Sequence, residues 1–206
     1  GKSTLVNLIP RFYDVTQGEI LIDGNSVKAY PFAQLRTKIG MVPQHAVLFK
    51  GTIRDNMKWG KADATDQQID QALSIAQAKD FVDSKPEKLD TMVSQGGANL
   101  SGGQRQRLTI ARALVGQPEI LVMDDSASAL DFATDAALRH AIHEQTKGMT
   151  VFIVSQRATS IKQADKILVL DDGVLAGVGT HKELMESCQV YREICLSQLS
   201  EQEVNR

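Results

Sequence analysis

The run Ile120-Leu121-Val122-Met123 is apolar without alternation and ends in two acids, Asp124 and Asp125. A strand with one wet face alternates, whereas a strand covered on both faces does not. Such a strand belongs inside a mostly parallel sheet flanked by helices, and so predicts an α/β fold. Further strands are predicted at 19–22, 39–42, 151–154, 166–170 and 174–178, with tight turns at Gly18, Asp23-Gly24 and Asp172-Gly173. Val151-Phe152-Ile153-Val154 is equally unbroken, so it too should be covered on both faces.

From 48 to 115 the pattern becomes helical. Ile69, Ala72, Leu73 and Ala76 share one helix face, and Thr65 with Gln68 forms a capping-box pattern at its start. Leu108, Ala111 and Val115 line a second helix. A helical insertion therefore interrupts the α/β core. After Leu130 a long helix should run to about Gln145 with Ala137, Leu138, Ala141 and Ile142 buried, and residues 180–199 read as two short helices.

The 206 residues are 42% hydrophobic and 23% charged, enough for one domain or one domain with a subdomain. The net charge of −2 and the lack of a polybasic tract argue against a nucleic-acid or lipid-surface binder. No apolar run reaches the roughly 20 residues that span a bilayer. His140 and His143 lie one helical turn apart without a third ligand and read as surface residues. Cys188 and Cys195, if on one helix, would stand roughly 10 Å apart, too far for a disulfide, and read as reduced thiols.

Chemistry concentrates at three places. Gly1-Lys2-Ser3-Thr4 running into Leu5-Val6-Asn7 is the back half of a phosphate-binding loop entering a helix. Lys2 would reach the β- and γ-phosphates, Ser3 would ligate Mg²⁺, and Thr4 would touch near the α-phosphate. Asp124, at the end of a buried strand, would hold Mg²⁺, and Asp125 sits where a hydrolytic water needs a general base. Ser101-Gly102-Gly103-Gln104 begins another helix with a capping box, and its two glycines bare backbone N–H groups for a second anion. A single triphosphate is poorly placed to use both helix starts unless folding brings them together; the alternative is that Ser101 and Gly103 serve ATP held on a partner chain.

Gly1 to Thr4, Gln44, the run Leu100-Ser101-Gly102-Gly103-Gln104-Arg105-Gln106-Arg107, the Asp124 strand and Ser128-Ala129-Leu130-Asp131 together resemble the nucleotide-binding domain of ATP-binding cassette (ABC) transporters, over essentially the whole chain. The resemblance implies ATP and Mg²⁺ as cofactors. It also implies a P-loop NTPase fold, with a RecA-like core at 1–47 and 116–206 and a helical subdomain at 48–115. Because the chain opens on Gly1 without an initiating Met, a β-subdomain and a membrane domain are expected upstream, as is the aromatic that meets the nucleobase. Gln44 resembles the Q-loop glutamine, which touches Mg²⁺ and the attacking water. Ser128, Ala129, Leu130 and Asp131 look like the D-loop, and Ser101, Gly102, Gly103 and Gln104 would meet the partner's ATP. Residues 48–56 resemble the stretch that meets the coupling helices in exporters, and 91–97 the X-loop, with Gln95 in its acidic position.

Two positions depart from the family. Its catalytic Glu is Asp125 here, and its switch His is Gln156. Both changes lie in a chain whose signature run is intact, and they resemble the degenerate half of a heterodimeric exporter of drugs or lipophilic compounds at the cytoplasmic face of a membrane. Its own site would bind ATP and turn it over poorly, and its signature would complete the site of a non-identical partner carrying Glu and His. Two other readings stay open: a soluble ABC ATPase acting on nucleic acid or ribosomes, and a regulatory ATP-binding subunit without turnover.

Overall fold

The structure is a computed structural model and describes residues 1–126 and 129–198. Three parallel strands form its centre, with Ile120–Asp124 between Ile39–Val42 and Thr150–Val154. Every residue of the middle strand is buried, as its unbroken apolar run predicts. Its side chains alternate between two cores. Ile120 and Val122 join Val6, Ile22, Val27, Leu35 and Ile39 on one side. Leu121 and Met123 join a larger cluster on the other, which includes Leu73, Leu108, Leu114, Leu138 and Ile142. Helix Lys2–Asn7 thus covers one face, and helices Asp66–Ile75, Gly102–Leu114 and Phe132–Gln145 cover the other.

Strand Thr150–Val154 is less covered than its composition suggests. It is one of the two edge strands of this sheet among the described residues, and Phe152 is 37% exposed. An unbroken apolar run reports what a strand is prepared to bury; what covers it is decided by the neighbours it finds.

The remaining strands pair antiparallel. The expected strand at 19–22 shrinks to Leu21–Ile22, paired with Asn25–Ser26. Asp23 and Gly24 between them both take positive φ, 51° and 78°, as a two-residue hairpin turn requires. Ile167–Asp171 pairs with Val174–Gly179 around Asp172 and Gly173, again both at positive φ. This hairpin sits about one residue later than expected at its first strand. Gly51–Thr52 pairs with Met92–Val93 inside the otherwise helical stretch.

The capping boxes at Thr65/Gln68 and Ser101/Gln104 are both formed, with both reciprocal hydrogen bonds. Ile69, Ala72, Leu73 and Ala76 are buried as predicted. Helix Phe132–Gln145 buries Leu138, Ala141 and Ile142, but Ala137 is exposed. Asp135, only 3% exposed, is buried in its first turn instead. Its carboxylate meets Arg139 at 2.9 Å and accepts from Ser160 Oγ at 3.4 Å, and this pairing is what lets a charge sit there. Cys188 and Cys195 do not share a helix: Cys188 closes His181–Ser187 and Cys195 lies within Gln189–Gln198, so the single-helix spacing does not apply. Both are buried and unbridged. Leu199, expected to end this second helix, lies outside the described residues. His140 and His143 are on the surface. No helix among the described residues is long and apolar enough to cross a membrane.

Gly40 shows how tightly the sheet meets its helices. A Cβ there would lie 2.5 Å from the Ala113 carbonyl oxygen and 2.9 Å from Pro118 Cγ, so the helix end would have to move. Gly40→Ala is expected to destabilise the fold by about 1–3 kcal/mol, read as a lower midpoint in denaturant unfolding.

Candidate nucleotide site

Register places the carboxyl ends of the three parallel strands together, with Val42 opposite Met123 and Asp124 opposite Val154. Ligands of open α/β sheets bind beyond such ends. A cleft of about 140 Å³ lies there. Gly1, Lys2 and Ser3 form one wall, Gln44 enters after the first strand, Asp124 and Asp125 after the second, and Val154, Ser155 and Gln156 after the third. Four sequence-distant candidate segments therefore meet in one place.

Ser3 Oγ donates to Asp124 Oδ1 at 3.0 Å, and Asp124 is only 6% exposed. A hydroxyl and a buried carboxylate this close, with the Gln44 amide on the same cleft, make a set of hard oxygen donors suited to Mg²⁺. Gln44 Nε2 donates to Asp125 Oδ2 at 3.5 Å, the long limit of a hydrogen bond. The Asp125 N–H donates to the Val154 carbonyl at 2.9 Å, which ties the ends of two strands, and its φ of 45° lies in the left-handed region that Asp tolerates better than most residues. Thr4 is exposed on its helix and does not line the cleft.

The serine-glycine helix start is not part of this cleft. Ser101 and Gly102 are exposed, and Ser101 Oγ accepts from Gln104 N–H at 3.2 Å while Gln104 Oε1 accepts from Ser101 N–H at 3.1 Å. An added Cβ on Gly103 would sit 3.4 Å from the Ala129 carbonyl oxygen, so this turn lies against residues 129–130. Ser128 lies outside the described residues. Leu130 is buried, and Asp131 caps helix Phe132–Gln145, accepting from Thr134 N–H at 2.9 Å and Thr134 Oγ1 at 2.7 Å. Those bonds hold the Asp131 carboxyl below the usual carboxylate range. Arg107 anchors the helix from within. Its Nη1 donates to the Gln77 carbonyl at 2.6 Å, its guanidinium lies 4.9 Å from the Phe81 ring centre, and burial lowers its pKa.

One residue that holds the main chain next to the cleft escaped the sequence reading. Gln198 Nε2 donates to the Gln156 carbonyl at 2.7 Å, and Gln198 Oε1 accepts from Ala158 N–H at 2.9 Å. A glutamine 42 positions from its partner carries no sequence signal of its own.

Comparison with known proteins agrees with this architecture. The chain superposes on a bacterial Atm1-family ABC exporter, solved with ATP bound, at a TM-score of 0.93 and 39% identity, covering 98% of this chain and 35% of that one. Its fold is therefore that of an ABC ATPase. Residues 1–128 match the ABC transporter family. Proteins of Staphylococcus aureus strains NCTC 8325 and COL, provisionally named multidrug export ATP-binding/permease proteins, are each 43% identical over 194 residues, 94% of this chain and 34% of theirs. The chain belongs to the ABC transporter family, and it spans about a third of the length of these relatives.

Proposed function

We propose that this chain is the ATP-binding engine of a membrane exporter of small lipophilic compounds, working at the cytoplasmic face in a dimer with a non-identical partner. The observation that carries this reading is the split between two anion sites. Lys2, Ser3 and Asp124 converge in one cleft, while Ser101 and Gly102 stand exposed outside it. One triphosphate does not serve both, so the exposed turn is available to nucleotide on another subunit.

Within its own cleft, Lys2 binds the terminal phosphates, and Ser3, Asp124 and Gln44 hold Mg²⁺, which supplies charge neutralisation there. Asp125 is the base for the attacking water and Gln156 the donor to the γ-phosphate. Asp125 is one methylene short and Gln156 carries no charge, so binding outlasts turnover at this site. The helical segment 48–115 carries the docking face for the membrane domain. There Phe49 and the 69%-exposed Trp59 meet as a tilted pair with ring centres 4.9 Å apart, and Met92 is exposed as well. An exposed apolar group of this kind is what a membrane domain's helix would cover.

The test uses the full-length protein carrying this chain, alone and combined with a partner bearing Glu and His. Mg-ATP binding is expected in both samples and is lost in Lys2→Ala of this chain alone, where no partner site remains, with substantial turnover only in the mixture. Equal turnover per site in both samples overturns the division of labour; no Mg-ATP binding overturns the nucleotide reading itself.

A further inference from the structure

Ser155 and Gln156 line the cleft, and the main chain from 156 to 158 is held by a residue outside it. Both ends of the Gln198 amide are engaged: Nε2 donates to the Gln156 carbonyl and Oε1 accepts from the Ala158 N–H. The helix that carries Gln198 is anchored. Tyr191 and Cys195 on it are buried in one cluster with Ala158, Ile167, Val169 and Leu184, and the Tyr191 hydroxyl lies 2.9 Å from His181 Nδ1. From the opposite side Arg139 Nη1 donates to the Thr159 carbonyl at 2.8 Å, and Ser160 Oγ donates to Asp135. The two backbone groups that Gln198 takes up flank Arg157 and include the carbonyl of Gln156, a residue that lines the cleft.

We propose that Gln198 is a positioning residue for recognition of the terminal phosphate: it fixes the backbone at Gln156, and so sets how strongly this site prefers ATP to ADP. This rests on the ATP-binding reading above. A glutamine side chain on an unrestrained loop loses rotamer freedom when it reaches a phosphate, and a shift of about 1 Å spoils a hydrogen bond. Two bonds on the main chain leave the rotamer cost in place but remove the backbone share of the ordering cost, and the shift in position, in advance. Only a nucleotide with a third phosphate benefits, because Lys2, Ser3 and Asp124 lie on other segments.

The experiment uses the full-length protein in its assembly, with a photoreactive ATP analogue competed by Mg-ATP or Mg-ADP and the label read on this subunit. Gln198→Ala is expected to weaken competition by ATP about tenfold, or about 1.4 kcal/mol, and to leave ADP unchanged. Gln198→Glu keeps the acceptor for Ala158, fills the same space and sets an oxygen against the Gln156 carbonyl; it should lose the ATP preference as well. A merely structural role would move both nucleotides together. Parallel losses, or no change in either variant, overturn the proposal. If the unaltered protein is not labelled competitively by ATP, the nucleotide reading fails and this inference with it. If it is labelled and the variants match it, this inference alone fails.

Discussion

Replacing Asp125 with Glu and Gln156 with His in the same chain should raise ATP turnover at the Lys2 cleft by about a hundredfold, or about 2.7 kcal/mol of barrier. The main chain at 125 is pinned, with its N–H on the Val154 carbonyl at 2.9 Å, so the reach of the carboxylate is set by side-chain length. One added methylene advances it by roughly 1 Å, the scale on which catalytic placement matters. At 156 an imidazole can carry a positive charge toward the γ-phosphate, which an amide cannot. The gain has a local cost. Position 125 sits at φ 45°, where Asp is tolerated better than Glu, so the double variant should lose up to about 1 kcal/mol of stability. Mg-ATP affinity should hold, because Lys2, Ser3 and Asp124 are untouched. Phosphate release from the assembled dimer, with the partner's site silenced, measures the gain. Turnover unchanged in the double variant would show that neither residue limits this site.

Much of this architecture is legible locally. The buried middle strand, the reciprocal caps at Ser101 and Thr65, and the two Asp-Gly hairpin turns follow from residues at most a few positions apart. These are short-range interactions, and their patterns are written where they act. Of the residues that converge on the cleft, Lys2 and Asp124 are legible as a helix start and a strand end, whereas Gln44 and Gln156, two residues past their strands, are legible only through the family resemblance. Long-range polar contacts are not legible. The burial of Asp135 is decided by Arg139 and Ser160 around it, and Ala137, which reads as core, is exposed on a helix turned to bury that acid. Gln198 is silent for the same reason: its partners are main-chain atoms about 40 positions away, and main-chain atoms carry no residue-type signal. Phe152 marks the converse, a side chain whose apolar character suggests burial in a strand that is at an edge of its sheet among the described residues.

Gly103→Asp should abolish turnover in the partner's composite site while leaving this chain's fold and its own ATP binding intact. Gly103 lies in the first turn of helix Gly102–Leu114, where an acid is favourable to the helix dipole. Its Cβ would meet the Ala129 carbonyl oxygen at 3.4 Å, ordinary van der Waals contact, so the backbone has room for a side chain to start here. In the isolated chain the variant should therefore melt no lower than the original. In the dimer the same carboxylate would face the partner's triphosphate in place of bare N–H groups. Two like charges about 4 Å apart near a protein surface repel by about 4 kcal/mol, which predicts a loss on the order of a thousandfold. Gly103→Ala separates charge from bulk: it adds the same Cβ without the carboxylate and should lose far less. Competition for nucleotide at the Lys2 cleft should be the same in all three proteins, because residues 101–104 do not line it. Turnover by the Gly103→Asp dimer at the level of Gly103→Ala would mean that no phosphate approaches this turn, and the reading of two chains sharing each nucleotide would fail.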